Sequence, residues 1–172
     1  MLFLVVFGAL AAFVSGQTTQ VNQCTQNRGD VPINTYIAGC EVPPCGLPQL
    51  EDAVIKIVFR APRTMHSMTT LATAYLPGPF GIEVPISHNL QDKAVTCNFL
   101  ENSYCPVLEG EVLQYTLLMY IESTFVAGIS PTIEFRITDE NNEPFVCIRV
   151  PIVILRPNSR LAALNTTRVD NN

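Results

Sequence analysis

The sequence predicts an all-β protein, built as a sandwich or a barrel of about seven short strands. Three observations favour this fold class. Apolar side chains recur at every second position in several segments, turn-forming residues separate those segments, and no stretch shows convincing helical periodicity. Because side chains of a strand point alternately to its two faces, each alternating segment is predicted to bury one face.

The clearest predicted strand spans residues 112–121 and follows a loop that Cys97 and Cys105 bracket. One face of this strand carries polar residues such as Gln114 and Thr116. The opposite face is wholly apolar and consists of Leu113, Tyr115, Leu117, Met119 and Ile121. A strand with one uncharged, apolar side predicts the wall of a hydrophobic interior.

The remaining predicted strands follow the same period of two. In chain order they cover residues 31–38, 53–60, 68–76, 80–86, 133–137 and 146–154. The proline-rich turn at 77–79 cannot lie inside a strand, and Pro85 indicates an edge strand or a bulge. Glu134 and Arg136 alternate with apolar neighbours and are predicted on the outer face. The polar run 139–143 predicts a hairpin loop between the last two strands.

Residues 1–16 are predicted to form a secretory signal peptide, because they are almost entirely apolar and end in small residues before Gln17. The apolar run is shorter than the roughly 20 residues of a spanning helix; an uncleaved anchor or a buried N-terminal strand is the alternative. We expect a secreted, extracellular protein, with the endolysosomal lumen as a second location. Its single domain is predicted at 17–155. A polar, flexible tail follows at 156–172, and in it Asn165 begins the one glycosylation sequon.

Six cysteines behind a leader imply three disulfides. Combinatorics alone leaves their pairing open. Local spacing favours two short loops and one link between the ends of the domain, in the pairs Cys40 with Cys45, Cys97 with Cys105, and Cys24 with Cys147. A zinc site is not expected, because neither short spacing is of the zinc-finger kind and an oxidising compartment favours cystine.

Charge and motif content exclude several function classes. A net charge of −5 with only two lysines argues against nucleic-acid binding, which needs clustered Lys and Arg. A hydrolase needs a nucleophile, a base and an orienting group. The chain has only His66 and His88, both predicted as loop surface residues, and no hydrolase, zinc-protease or phosphate-loop motif. We therefore expect no enzymatic activity, no cofactor and no metal.

Apolar inward faces by default fill an ordinary core, since protein interiors are close-packed. Periodicity alone does not distinguish a filled sandwich from a hollow one. A purely structural sandwich that binds no ligand therefore stays an alternative hypothesis.

One set of spaced residues adds to this picture. It consists of Cys24, Gly39-Cys40, Cys45, Val54 to Phe59, Pro85-Ile86, Cys97, Cys105-Pro106, Tyr115, Glu134-Phe135, Asp139 and Cys147 to Pro151. With this set, the chain resembles the Niemann-Pick type C2 family of ML (lipid-recognition) domains from about Cys24 to Leu155. A divergent arthropod member is expected, because the chain contains no Trp and reads Glu83-Val84-Pro85-Ile86 where sterol carriers of the family have an aromatic residue.

The resemblance implies an immunoglobulin-like β-sandwich of two antiparallel sheets, splayed around a hydrophobic cavity, and the same three disulfide pairs. It places the family's pocket positions on Val84, Tyr115, Ile121, Phe125, Phe135 and Ile148. Periodicity adds residues on the same faces, namely Ile82, Leu117, Met119, Ile133 and Val150.

The function implied by the resemblance is that of a monomeric lipid carrier. Its ligand would be a sterol, a fatty acid or a semiochemical, with any polar group left at the mouth, and a membrane receptor or an acceptor membrane would be its partner. The alternative is innate-immune recognition of a glycolipid together with a receptor. Phosphorylated glycolipids require Lys or Arg around the opening, and Arg60 with Arg63 is the only close basic pair in the sequence.

Overall fold

The computed structural model describes residues 18–157, and this part of the chain forms nine β-strands and three 3₁₀ turns. The strands are β1 (Asn22–Gln23), β2 (Asn34–Ile37), β3 (Cys45–Pro48), β4 (Asp52–Arg60), β5 (Met68–Pro77), β6 (Glu83–His88), β7 (Val112–Tyr120), β8 (Thr132–Asp139) and β9 (Pro144–Leu155). The 3₁₀ turns are Pro79–Gly81, Gln91–Ala94 and Thr96–Phe99. The two strands beyond the predicted seven are β1 and β3, with two and four residues, too short to show a period.

The strands form two sheets that face each other. The larger sheet has the order β1-β9-β8-β5-β6, and β3 also pairs with β9. The smaller sheet has the order β2-β4-β7. Apart from the parallel pair of β3 with β9, the paired strands are antiparallel. The predicted β-sandwich is thereby confirmed.

The core lies between the sheets, where the predicted period of two places it. Ile57 of β4 and Leu117 of β7 are fully buried from one sheet, and Ile148 of β9 is fully buried from the other. Each such side chain contributes about 1.5–3 kcal/mol by leaving water. Phe59 and Phe145 pack with their ring centroids 5.6 Å apart and close the end of the sandwich away from the start of β4.

Three disulfides join the predicted pairs, which confirms all three pairings. The bond between Cys24 and Cys147 spans 123 residues and fastens the N-terminal segment to β9. Cys40 and Cys45 close a loop before β3, and Cys97 and Cys105 close the loop before β7. The long-range bond therefore removes far more conformational freedom from the unfolded chain than the two local ones.

Part of the outer face of the larger sheet is covered as well. Glu134 lies on the predicted outer face of β8, yet it is only 1% exposed. The N-terminal segment lies over it, and the Asn27 amide donates a hydrogen bond to Glu134 Oε1 at 2.6 Å. Gly29 lets the segment pass this close, because a Cβ there would lie 2.8 Å from the backbone nitrogen of Cys147. Glu134 thus lies on the predicted face, and its burial there could not be predicted, since a strand pattern does not show what covers a second face.

Two predicted apolar segments are shorter or more exposed than expected. The strand predicted at 31–38 is β2, which begins only at Asn34, and Ile33 is 61% exposed. The strand predicted at 80–86 is β6, which begins at Glu83, and Phe80 lies fully exposed in a 3₁₀ turn. Among residues 18–157 no helix is long and apolar enough to cross a membrane.

Candidate functional site

An apolar cavity of about 160 Å³ lies between the two sheets, at the end of the sandwich where β7 ends and β8 begins. The smaller sheet contributes Met119, and Ile121 follows it directly. The larger sheet contributes residues from β5, β6, β8 and β9, and the loop between β7 and β8 completes the wall. Polar side chains in the lining are limited to Thr73, Ser87 and His88. The cavity therefore suits an apolar ligand.

Small side chains leave this space open. Ala72 and Ala74 occupy consecutive inward-facing positions of β5, and both line the cavity. Residues of Ile or Leu size at these positions would fill it, because protein interiors normally pack without voids. Ile152 and Ile154 of β9 form the wall beside them.

The loop at residues 122–131 closes one side of the cavity and is tied down at several points. The buried Gln49 side chain donates hydrogen bonds to the backbone oxygens of Ser123 and Phe125. The N–H of Gly128 donates to the Ile154 carbonyl at 2.8 Å, and the N–H of Ile154 donates to the Ile129 carbonyl at 3.0 Å. These bonds hold Phe125 and Ile129 in the cavity wall.

His88 packs against Phe125 of this loop, with ring centroids 5.6 Å apart in an edge-to-face arrangement. His88 is the last residue of β6 and half-buried, so the prediction of a surface loop histidine was wrong for this residue. His66, by contrast, is exposed. A second, more polar cavity of about 270 Å³ lies next to the first, and His88 and Met119 belong to the walls of both.

The edge strand β6 forms the outermost wall. All of its side chains up to Ser87 are exposed, although Ile86 and Ser87 also line the cavity. Arg149 reaches across the outer face of the sheet and donates a hydrogen bond to Glu83 Oε2 at 2.7 Å. Its guanidinium also stacks 4.4 Å from the centroid of the Tyr75 ring. This link holds the first residue of β6 against the sheet.

The eleven residues predicted to bind ligand fall into three groups. Those that line the cavity are Met119, Ile121, Phe125 and Ile133. Those buried farther along the core are Tyr115, Leu117, Phe135, Ile148 and Val150. Ile82 and Val84 lie outside the lining and are 64% and 46% exposed. Ligand contact stays a prediction for all eleven.

The sequence did not point to several lining residues. Ile152 and Ile154 share the face of Val150, so the period of two could have found them. Ala72 and Ala74 carried no signal, because a small residue in a strand does not indicate a cavity by itself. The predicted signal peptide at 1–16, the predicted glycosylation site Asn165 and the chain beyond residue 157 lie outside the described residues.

A polar group lies within the core, beyond the cavity. Tyr115 on β7 is 1% exposed, and among residues 18–157 its hydroxyl has no hydrogen-bond partner of acceptable distance and angle. Burial raises the pKa of Tyr115 to about 12, and the nearby Thr70 hydroxyl offsets only part of that rise. Thr70 on β5 and Thr96 share a hydrogen bond of 2.8 Å between their hydroxyls. Tyr115 thus reaches from the smaller sheet toward hydroxyls at the larger one.

One group of three side chains has the spacing of a metal site but not suitable ligand atoms. Cys24, Glu134 and Cys147 have their ligand atoms within 4.8 Å of one another. Both sulfur atoms belong to one disulfide, so neither is the thiolate that binds metal.

Solved structures with a similar fold include a Niemann-Pick type C2 protein from the Japanese carpenter ant. The similarity covers 78% of this chain and 98% of that chain, with a TM-score of 0.63 and 17% sequence identity. Chicken MD-1 in complex with lipid IVa is similar over 76% of this chain and 85% of that chain, with a TM-score of 0.44 and 13% identity. At such low identity the ant protein shows a shared fold and nothing about ligand. No curated protein sequence matches the chain significantly.

The ML domain family matches residues 18–154. This match covers most of the 172 residues and almost all of the described ones. The two-sheet sandwich and the three disulfides agree with the resemblance found in the sequence. An arthropod origin stays a prediction. The chain belongs to the ML domain family.

Proposed function

We propose that the protein is a secreted lipid-binding and transfer protein that carries a sterol, a fatty acid or another small hydrophobic ligand between its two sheets. The observation that carries the proposal is the apolar cavity at one end of the sandwich, beside the edge strand β6. Secretion is supported by the three disulfides, which form in oxidising compartments. Transfer would deliver the ligand to a receptor or an acceptor membrane.

Binding would proceed by desolvation rather than by a charged anchor. Each methylene moved from water into the cavity contributes about 0.8 kcal/mol. The cavity of about 160 Å³ is smaller than the roughly 300–1,000 Å³ that ligand pockets usually occupy. A sterol would therefore require the two sheets, or the β6 edge, to move outward on binding.

Recognition of a phosphorylated glycolipid has less support. Arg60 lies at the end of β4 away from the cavity and donates a hydrogen bond to the Gly110 carbonyl. Arg63 is paired with Asp139. Among the described residues, Lys93 is the only Lys or Arg in the walls of the two cavities, and it lies 3.9 Å from an Asp52 oxygen. The basic groups that would bind phosphate are thus not gathered around the apolar cavity.

The test is native mass spectrometry of the secreted, oxidised protein from a eukaryotic host, followed by extraction and identification of any bound lipid. A cavity-filling variant, Ala74→Phe, places a ring inside the apolar space and should abolish the lipid adduct. Its matched control is Leu71→Phe, because Leu71 lies on the outer face of the same strand and is 40% exposed. A bare wild-type protein that also fails to take up lipids from a panel would refute carriage. An adduct retained in Ala74→Phe would refute this cavity as the site.

A further inference from the structure

Tyr115 places a polar atom in the apolar interior without a well-placed hydrogen-bond partner. An unsatisfied buried hydroxyl is unfavourable, and native proteins rarely keep one without a reason. Within the described residues, Tyr115 combines 1% exposure with a hydroxyl that lies near Thr70 but has no hydrogen-bond partner of acceptable distance and angle. A Phe at this position would fill nearly the same volume without the polar atom.

The hydroxyl lies beyond the closed end of the apolar cavity. On β5 the inward-facing residues run Ala74, Ala72 and then Thr70, and the first two line the cavity. Thr70 therefore follows about 7 Å beyond Ala72, at about 3.3 Å per residue. On β7 the inward face runs Met119, Leu117 and Tyr115, in the same direction. Both sheets thus lead from the cavity to the same group of hydroxyls.

Two side chains occupy the intervening positions. Leu117 lies between Met119 and Tyr115 on β7, and Phe135 of β8 is paired with Ala72 of β5. Both side chains are buried and apolar. A ligand that reached the Tyr115 hydroxyl from the cavity would have to displace these two side chains.

We propose that Tyr115, Thr70 and Thr96 form an internal polar subsite that receives the polar end of an amphiphilic ligand. The ligand would then enter polar end first, whereas the family resemblance implies a polar group left at the mouth. This inference rests on the proposed carrier function and narrows its ligand class. The hydroxyls can donate and accept hydrogen bonds, so an alcohol or a carbonyl group suits them. The inward faces of β5 and β7 carry no charged side chain, so an ionised carboxylate would be buried without compensation. The ligand class is therefore a neutral long-chain or cyclic alcohol, ketone or ester.

The test compares the binding of two ligands, one with a hydroxyl and one without, to the wild-type protein and to a variant. Dissociation constants of 1-decanol and decane are measured for the delipidated, oxidised protein by displacement of the fluorescent probe N-phenyl-1-naphthylamine. The Tyr115→Phe variant should weaken decanol binding about tenfold more than it weakens decane binding, because the ligand hydroxyl loses its partner. For each ligand, the dissociation constant of the variant is divided by that of the wild type. Comparing these two ratios removes the difference in how water solvates the two ligands.

Thr96→Val provides a second variant, which keeps the test decisive if Tyr115→Phe does not fold. It removes one hydroxyl of the pair and should show the same selective loss for decanol. Equal effects on both ligands, within twofold, would overturn the polar subsite and leave the carrier function standing. Failure of the wild-type protein to bind either ligand would refute the carrier function itself and the subsite with it.

Discussion

Replacement of Asp139 by Asn should destabilise the protein through one buried carboxylate. Asp139 is 3% exposed at the end of β8 and accepts four hydrogen bonds. Oδ2 accepts from Nε and Nη2 of Arg63 at 2.9 and 2.5 Å. Oδ1 accepts from the backbone N–H groups of Asn141 and Glu143, both at 2.9 Å. The carboxylate thereby fastens the β8–β9 hairpin to the loop that follows β4.

An Asn side chain can keep the two bonds to Oδ1 but turns an amide toward Arg63. The lost pair consists of charged hydrogen bonds, each contributing about 1.5–3 kcal/mol in buried settings. Because the Arg63 side chain is 40% exposed, solvent weakens this pair. We therefore expect Asp139→Asn to lower the free energy of unfolding by about 2 kcal/mol at neutral pH, measured by urea unfolding with the disulfides intact.

The effect should depend on pH in a defined direction. Burial alone would raise the pKa of Asp139, but the hydrogen bonds from Arg63 and the backbone lower it below the usual value overall. A carboxyl with a lowered folded-state pKa stabilises the protein above its unfolded pKa of about 3.9, and that contribution is lost as the pH falls through the folded-state pKa. The difference between wild type and Asp139→Asn should therefore shrink below about pH 4.

The control for this experiment is Glu143→Gln, because Glu143 is exposed and lies 3.5 Å from Arg63. It should change the free energy of unfolding by less than about 0.5 kcal/mol. The reasoning would be refuted if Asp139→Asn matched the control at neutral pH, or if its deficit stayed constant into strong acid.

Two further predictions concern the disulfides and the edge strand. Replacing Cys24 and Cys147 together by Ala should cost roughly 5 kcal/mol of unfolding free energy, against roughly 2 kcal/mol for Cys40 and Cys45, since loop-closure entropy grows with the 123- and 5-residue separations. The two variants are compared by the midpoints of their urea unfolding curves. Equal losses of unfolding free energy would contradict the entropic argument. Glu83→Gln should speed hydrogen exchange in β6 about fivefold, because the charged bond from Arg149 holds the start of that strand. Exchange measured by mass spectrometry would contradict this link if only strands other than β6 changed.

Strand positions were readable from the sequence where one face alone is buried. Residues 112–121 carry an unbroken alternation, and β7 follows it from Val112 to Tyr120. The same holds for β4, whose Ile55, Ile57 and Phe59 face the core. The disulfide pairs were also readable, because two of them are local and the third follows from the remaining cysteines.

The alternation failed where contacts from distant parts of the chain decide burial. Glu134 has the position of a solvent-facing residue, but the N-terminal segment covers it. Ile82 and Val84 have the pattern of a buried face, but β6 is the edge of the larger sheet and both stay exposed. Whether a strand is central or at an edge depends on pairing with strands far away in the sequence.

The sequence by itself determined the fold class, the disulfide pairs and the inward faces of strands such as β4 and β7, because backbone periodicity and cysteine spacing are local properties. Tertiary structure alone decided where the sheets leave space, since the volume between them depends on how side chains from β5, β7, β8 and β9 meet. The neighbouring small residues Ala72 and Ala74 open the cavity, and the facing side chains of Leu117 and Phe135 close it off from Tyr115. Packing across two sheets sets that volume, and no single strand's pattern contains it.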